Sequence, residues 1–457
     1  MYEKLFRHVL FPGYETLVRQ RRTAAYVREY EASQWLSPAD LQRVQLDKLN
    51  RLLAHGWAQV PFLAAHWRQA GCNPQPLHDI SELARYPTLT KQLITAHYDD
   101  MIARDWRGRT LTKTTGGSTG VPFRFEYTMD AYARRTAIMW RGYGWAGAGL
   151  GTRTAYLWGT GMRSGGWAGL KDRLYHGAFN RRFLDAFMIT DTGIDERIDA
   201  IERYRPDAVV GYVAPLMLVA SRLLERGRAL RGIRCVLTGA EALLAPERAA
   251  ISRAFGCEVF ETYGSREVML MATECEAHDG LHIQADQLLL ETVDAQGRPV
   301  AAGDSGDLAV TDLHNDGMPM VRYLNGDRGT LALGPCRCGR GLPRLSSVDG
   351  RVLEMIRAPD GRHISGEFFV AALLEWPQIR QWQFVQTSPA QGEFRIVAPQ
   401  GWDNALSTRL SSKVAAVTGP SMSVEVCIVD AIAPLASGKR RLTVAWRPDA
   451  VAPATVD

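Results

Sequence analysis

The run Thr114-Thr115-Gly116-Gly117-Ser118-Thr119-Gly120 alternates hydroxyl side chains with glycines. Glycine lets a backbone turn tightly and bring its N–H groups against phosphate oxygens, while threonine and serine add small donors. The run therefore suits a polyphosphate. It is not a Walker loop, because Val121, not Lys-Ser or Lys-Thr, follows its last glycine. Downstream come Tyr263-Gly264-Ser265-Arg266-Glu267, Tyr323-Leu324-Asn325-Gly326-Asp327, Gly350-Arg351 and Gly438-Lys439. Each pairs a glycine with a residue able to bind part of a nucleotide.

The chemistry that uses such parts is the activation of a carboxylic acid by ATP. A carboxylate is a poor electrophile, and joining it to AMP replaces oxide with a phosphate ester as the leaving group. The reaction needs a clamp for the outer phosphates, Mg²⁺, a hold on the ribose and a cation where charge builds at the α-phosphate. Thr114 to Gly120 supplies the clamp. Glu267 is a hard oxygen ligand for Mg²⁺. Asp327 can accept from a ribose diol, with Arg351 beside it. Lys439, in the loop Ala436-Ser437-Gly438-Lys439-Arg440, can bring an ammonium to the α-phosphate. Singly, Glu267 and Asp327 also read as surface or cap acids, and Lys439 beside Arg440 and Arg441 as a solvated basic turn. Their order along the chain favours the shared chemistry.

A second constellation points to a metal. Cys336 and Cys338 are separated by one residue, and Cys275, His278 and His282 precede them. Three thiols and an imidazole make a Cys₃His set, which suits structural zinc. His282 heads a predicted strand and is preferred to His278 as the fourth ligand. The alternative is a set of reduced cysteines with Arg337 and Arg340 packed on nearby acids. Four aromatics, Trp140, Tyr143, Trp158 and Tyr212, lie near the motifs in sequence; they read either as an acid-binding pocket or as core.

These residues need a scaffold. The chain has 457 residues, 46% of them hydrophobic, enough for more than one domain. Met129 to Tyr143 predicts a helix, and helical and strand patterns alternate from Ile194 to Glu261, which predicts an α/β sheet with helices on its faces. Ser37-Pro38-Ala39-Asp40 starts a helix, and Pro87-Thr88-Leu89-Thr90-Lys91 is a turn opening another. Short strands with tight turns over about 270–350 predict a β-rich subdomain, and mixed helix and strand beyond Asp360 predict a small C-terminal domain. The expected domains are 1–353 and 354–457. Net charge is +5, from 54 basic and 49 acidic residues, which argues for no nucleic-acid partner. The longest apolar run, Val209 to Ala220, is too short to span a bilayer, and Pro12-Gly13 interrupts the N-terminal apolar stretch where a secretory signal would be continuous. A cytoplasmic setting is expected, and seven cysteines do not form a disulfide framework.

The order of these motifs resembles the adenylate-forming superfamily of acyl-CoA synthetases, adenylation domains and luciferases. Within it, the chain is most similar to the branch of phenylacetate–CoA ligase, coenzyme F390 synthetase and CapK-type proteins. Val60-Pro61-Phe62, Tyr86 to Lys91, Val210-Gly211-Tyr212 and Thr238-Gly239-Ala240-Glu241 extend the likeness over nearly the whole chain. The resemblance implies a large N-terminal domain, a small mobile α+β C-terminal domain, and two steps, adenylation and then acyl transfer. It places Gly239, Ala240 and Glu241 on the adenine side. It puts Glu261, Thr262, Tyr263, Gly264 and Ser265 around the nucleotide, with Tyr263 stacking near the adenine. Glu267 then matches the Mg²⁺ ligand, Asp327 and Arg351 the ribose contacts, Glu354 the acidic hinge and Lys439 the catalytic lysine. Some members of the branch carry zinc at the cysteine region. Arg266 stands where the superfamily usually has threonine, and Glu354 where aspartate is more usual. The expected reaction joins an aryl or other small acid to a thiol, of CoA or of a carrier-protein phosphopantetheine. An acid–amine or acid–sugar ligase and a non-catalytic nucleotide-binding homologue are the alternatives.

Overall fold

A computed structural model describes residues 2–115, 123–159, 167–349, 354–364, 381–398, 402–432 and 442–446, with residues 366, 368, 369, 373, 376 and 379. The chain forms two compact units. One comprises Met1–Thr114, Arg124–Arg153 and Phe260–Asp349; the other comprises Thr115–Phe123, Thr154–Val259 and Gly350–Asp457.

The first unit is built on antiparallel strands. They neighbour one another in the order Leu288–Val293, Ser305–Asp312, Tyr323–Leu331, Arg344–Asp349, Leu281–Ile283, Met269–Glu274 and Glu258–Ser265. Inward-pointing Val268, Met271, Leu281, Leu288, Leu308 and Leu345 make the core under this sheet. Between Tyr263 and Gly264 the pairing with Met269–Glu274 shifts register. A Cβ on Gly264 would come within 2.1 Å of the Met269 carbonyl oxygen, so only glycine admits this close approach. That kink falls within the Tyr-Gly motif and separates Tyr263 from Glu267.

Helices pack beside these strands with the starts their sequences call for. Ser37 caps Pro38–Gln59 by accepting from the Asp40 N–H, with Pro38 at the first position. Thr128 caps Met129–Trp145, and Arg141 of that helix reaches the carboxylate of Asp286 at 2.6 and 2.8 Å, both side chains fully buried. Thr90 caps the short helix Lys91–Ala96, which fixes where Lys91 leaves the backbone.

The second unit begins with a parallel sheet ordered Cys235–Gly239, Ala208–Tyr212, Thr154–Trp158 and Arg181–Asp185. Ala208–Tyr212 and Cys235–Gly239 are buried throughout, which is why they read as unbroken apolar runs rather than alternating ones. Helices Asp191–Tyr204, Val213–Glu225 and Ala245–Phe255 cover them through Ile198, Ile201, Leu216, Val219, Ile251 and Phe255. The C-terminal part of this unit has a sheet ordered Ser423–Ile428, Gln391–Val397, Gln381–Ser388 and Thr443–Val444. The helix Asn404–Thr418, capped by Asp403, places Leu410 and Val414 in a separate core of Phe369, Trp382, Phe384 and Phe394. Met188–Ile189 pairs with His363–Ile364, which joins the two parts of the unit. The result is a mixed α/β architecture. Among the described residues no helix is long and apolar enough to cross a membrane.

Candidate active site

Glu267 follows the bulged strand Glu258–Ser265 and is buried. Its Oε1 accepts from the Tyr323 hydroxyl at 3.1 Å and lies 3.3 Å from Lys91 Nζ. Burial pushes this carboxyl up. The Lys91 ammonium, a backbone N–H and the Ser265 hydroxyl outweigh that and hold it below the ordinary carboxylate range. Glu267 is therefore an ionised oxygen donor. As a Mg²⁺ ligand it fits in charge and hardness, but one of its oxygens already carries an ammonium, which an incoming cation must displace or share.

Asp327 lies on the strand Tyr323–Leu331. Its Oδ2 accepts from the Tyr263 hydroxyl at 2.9 Å and from Asn325 Nδ2 at 3.1 Å. Asn325 Nδ2 also reaches the Tyr263 hydroxyl at 2.6 Å, and Asn325 Oδ1 accepts from the Asp327 N–H at 3.1 Å. Tyr263, Asn325 and Asp327 thus form a closed polar triangle. Among the described residues Oδ1 of Asp327 takes no hydrogen bond, so that oxygen is available to a ribose diol.

The strand Leu111–Thr115 carries Thr114 and Thr115 to the start of the glycine-rich run. Gly116, Gly117, Ser118, Thr119 and Gly120 lie outside the described residues, as do Arg351 and Lys439. Arg266 Nη1 donates to the Thr114 carbonyl at 3.5 Å. The arginine that replaces the usual threonine thus reaches the root of the expected phosphate loop. Glu261 donates its N–H to Glu274 Oε2 at 2.8 Å, and Thr262 pairs across from Thr273.

In the second unit, Gly239 ends its strand and Ala240 adopts φ +65°, a left-handed conformation that costs a non-glycine residue free energy. The turn aims Glu241 at the helix Val213–Glu225, where its Oε2 accepts from the Ala214 N–H at 2.6 Å. A buried carboxylate at a helix N-terminus is stabilised by the unpaired N–H groups there. Glu241 therefore has a structural task in the segment expected on the adenine side. Trp158 and Tyr212 of this unit approach with ring centroids 4.2 Å apart. Trp140 and Tyr143 belong to the helix Met129–Trp145 of the first unit. Glu354 is tied within the second unit, its N–H donating to Thr443 Oγ1 at 2.6 Å and its Oε2 accepting from the Ala445 N–H at 2.8 Å.

The cysteines converge. The ligand atoms of Cys275, His282, Cys336 and Cys338 all lie within 4.8 Å of one another. Cys275 Sγ and Cys336 Sγ are 3.8 Å apart, and Cys338 Sγ is 3.2 Å from His282 Nε2. Tetrahedral Zn–S bonds of about 2.3 Å separate two sulfurs by roughly 3.8 Å, so the donor set fits. His282 Nδ1 contacts the Leu342 carbonyl at 3.0 Å, an arrangement that turns the Nε2 lone pair toward the thiols. Burial lowers the His282 pKa to about 4, which keeps the ring neutral. His278 stands apart, with Nδ1 3.3 Å from Glu274 Oε1 and its ring against Phe260.

Three residues of this site were missed in the sequence reading: Lys91, Tyr323 and Asn325. Tyr323 and Asn325 sit inside the Tyr-x-Asn-Gly-Asp motif, which was their signal. Lys91 was read as part of a helix start and of a segment that carries the family likeness, with no role at the site. Nothing local in the sequence indicates that it ion-pairs with Glu267.

No protein-family model matches the chain. It is 28% identical over 327 residues to the phenylacetate-coenzyme A ligase of Escherichia coli, covering 69% of this chain and 72% of that one. It is 26% identical over 323 residues to the phenylacetate-coenzyme A ligase of Thermus thermophilus, covering 69% and 71%. Its fold is similar to that of a 2-hydroxyisobutyryl-CoA ligase solved with 2-HIB-AMP and CoA, with a TM-score of 0.64, 20% identity and coverage of 90% and 91%. A second structure of that ligase, in an open conformation, gives a TM-score of 0.58. In sequence the chain is thus similar to phenylacetate-coenzyme A ligases, and its α/β fold matches that of the adenylate-forming 2-hydroxyisobutyryl-CoA ligase.

Proposed function

We propose that this protein is an AMP-forming acid–thiol ligase. A carboxylate oxygen attacks the α-phosphorus of ATP, forming the acyl-adenylate and releasing pyrophosphate; a thiol then attacks the acyl carbon and AMP leaves. The observation that carries this reading is the Tyr263–Asn325–Asp327 triangle, which orients one carboxylate with one oxygen open, in the motif order of ligases that use acyl-AMP. Asp327 holds the ribose, with Arg351 assigned beside it. Thr114 to Gly120 clamps the outer phosphates, and Lys439 meets charge developing at the α-phosphate. Glu267 would hold Mg²⁺, which supplies positive charge to the phosphate oxygens. Lys91 keeps Glu267 ionised until then.

CoA is the preferred acceptor, because the sequence relatives are coenzyme A ligases. A carrier-protein phosphopantetheine arm is the second choice. The acid is an aryl or other small organic acid, with the adjacent Trp158 and Tyr212 rings the candidates to line its pocket. The four Cys and His ligands hold a structural zinc, and the setting is the cytoplasm. The domains divide at about residue 354, with Glu354 at the pivot.

The test is pyrophosphate release over a panel of acids with ATP and Mg²⁺, followed by offering CoA, a loaded carrier or simple amines to the adenylate. Lys439→Ala should cut adenylation by roughly 10²-fold or more, the scale of losing one transition-state charge contact. A wild-type rate in that variant would reject the assignment of Lys439. Consumption of the adenylate by amines alone would overturn the thiol reading.

A further inference from the structure

The N-terminal helical stretch has a face that the ligase reading does not use. Tyr2–Leu5, Phe6–Leu10, Phe11–Gly13 and Tyr14–Val18 follow one another as helix, with wide π-type turns at Phe6–Leu10 and Tyr14–Val18. Arg19 N–H closes one such turn on the Tyr14 carbonyl at 3.0 Å. Phe6, Phe11 and Glu15 are buried. Their spacing of five and four residues is that of a turn holding between four and five residues. The exposed positions carry many apolar side chains beside basic ones. Tyr2, Leu5, Val9, Leu10, Leu17 and Val18 are 42–80% exposed. Among the described residues 14 large apolar side chains are exposed, so six of them fall within this one short stretch. Such concentration exceeds the scattered single exposures ordinary on a protein surface.

Charge selects the occupant. Residues 2–22 contain five Lys or Arg against two Glu. Both acids are engaged within the unit: Glu15 pairs with Arg21 at 2.6 Å, and Glu3 accepts from the Thr152 hydroxyl at 3.2 Å. Lys4, Arg7 and His8 are exposed at one end of the apolar strip, and Arg19 and Arg22 at the other. Arg7 makes an ion pair with Glu31 at 2.6 Å, with both groups at the surface. A second copy of the same face would set cations against cations. An anionic bilayer presents an apolar layer beneath negative headgroups and complements both features.

We propose that residues 2–22 dock this protein on anionic lipid surfaces, with Leu5, Val9, Leu17 and Val18 entering the interface and Lys4, Arg19 and Arg22 meeting the headgroups. The contact is interfacial and reversible: one amphipathic stretch of this length lies on a bilayer and does not span it.

The experiment is co-sedimentation of the full-length protein with vesicles of phosphatidylcholine alone and of phosphatidylcholine mixed with phosphatidylglycerol. Binding to the mixed vesicles should be about 10-fold tighter or more, since each basic side chain near an anionic surface contributes to affinity. It should weaken as salt is raised. Leu5→Asp with Val9→Asp, both exposed in the free protein, should lower binding about 10-fold or more with an unchanged circular dichroism spectrum. Lys4→Glu with Arg19→Glu and Arg22→Glu should remove the preference for phosphatidylglycerol while the circular dichroism spectrum stays unchanged; Arg19 and Arg22 also lie over the Tyr14 and Tyr26 rings, so that spectrum is the control. Equal binding to both vesicle types, or retention of binding in the Leu5→Asp/Val9→Asp variant, would overturn the proposal. So would self-association that this variant abolishes in the absence of any vesicle binding.

Discussion

Glu267 keeps its charge in a place that opposes charge. Burial alone would protonate it, and the Lys91 ammonium 3.3 Å away is the chief reason it stays ionised. Because its folded pKa lies below the ordinary value of about 4.3, its contribution to stability is complete above that value and is lost as pH falls through the folded one. Lys91→Met keeps the length of the side chain but removes the cation. At pH 7 this leaves an uncompensated buried carboxylate and should cost about 3–5 kcal/mol. In the variant, burial acts unopposed by Lys91 and raises the Glu267 pKa. Protonation then relieves the folded state, so the gap between variant and wild type should narrow as pH falls from about 7 to about 5. Urea unfolding at the two pH values measures this. A gap that stays constant would mean that Lys91 does not hold the charge of Glu267. The same pair explains a limit of sequence reading. Glu267 stood out through its motif, whereas Lys91 lies far back in the chain, and only the antiparallel sheet and the cap at Thr90 bring them together.

At the scale of elements, the Cys and His ligands gather around the shortest strand of the first unit's antiparallel sheet. Leu281–Ile283 has only three residues, and it pairs with Met269–Glu274 on one side and Arg344–Asp349 on the other. Cys275 follows the first of these neighbours, and Cys336 and Cys338 lie in the connection leading to the second. A zinc would fasten all three, doing for a short strand what a longer ladder of hydrogen bonds does elsewhere. Purified protein should contain about one zinc per chain, and Cys338→Ser should lower both zinc content and melting temperature, since structural zinc contributes folding free energy directly. Elemental analysis and a thermal melt with and without a chelator check this. Metal-free protein whose melting is indifferent to chelator would refute it. The convergence of these residues was legible in sequence because thiols and imidazoles are rare and their chemistry is narrow. The parallel strands Ala208–Tyr212 and Cys235–Gly239 were legible for a related reason, being buried throughout and so mostly apolar, whereas Arg181–Asp185, only half-buried, was not. The bulge at Gly264 and the left-handed Ala240 were not. Each depends on what another strand or helix places against it, which no local pattern records.

At the scale of the whole molecule, the two half-reactions proposed here make opposite demands. Adenylation needs a lysine at the α-phosphate, and acyl transfer needs a path for a thiol to the acyl carbon. One conformation cannot serve both if Lys439 occupies that path, so the segment carrying it must move about a pivot. Glu354 is the proposed pivot, and the second unit holds it at three points. Thr443 Oγ1 accepts from its N–H at 2.6 Å and donates to its carbonyl at 2.8 Å, while the Ala445 N–H reaches its carboxylate at 2.8 Å. A pivot held this way has a defined state to leave, and the free energy of these bonds sets part of the balance between conformations. Glu354→Pro removes the N–H donor and fixes φ, so it should leave adenylation measurable while slowing acyl transfer. Thr443→Val keeps the shape and deletes the hydroxyl shared by both backbone groups. Losing a bond worth about 1 kcal/mol should shift a two-state balance about five-fold, and the ratio of the two half-reaction rates should move by a similar factor. Pre-forming the adenylate and timing its consumption by CoA separates the two rates. Equal loss of both in Glu354→Pro, together with an unchanged ratio in Thr443→Val, would show that chain movement at Glu354 does not govern the passage from one half-reaction to the next.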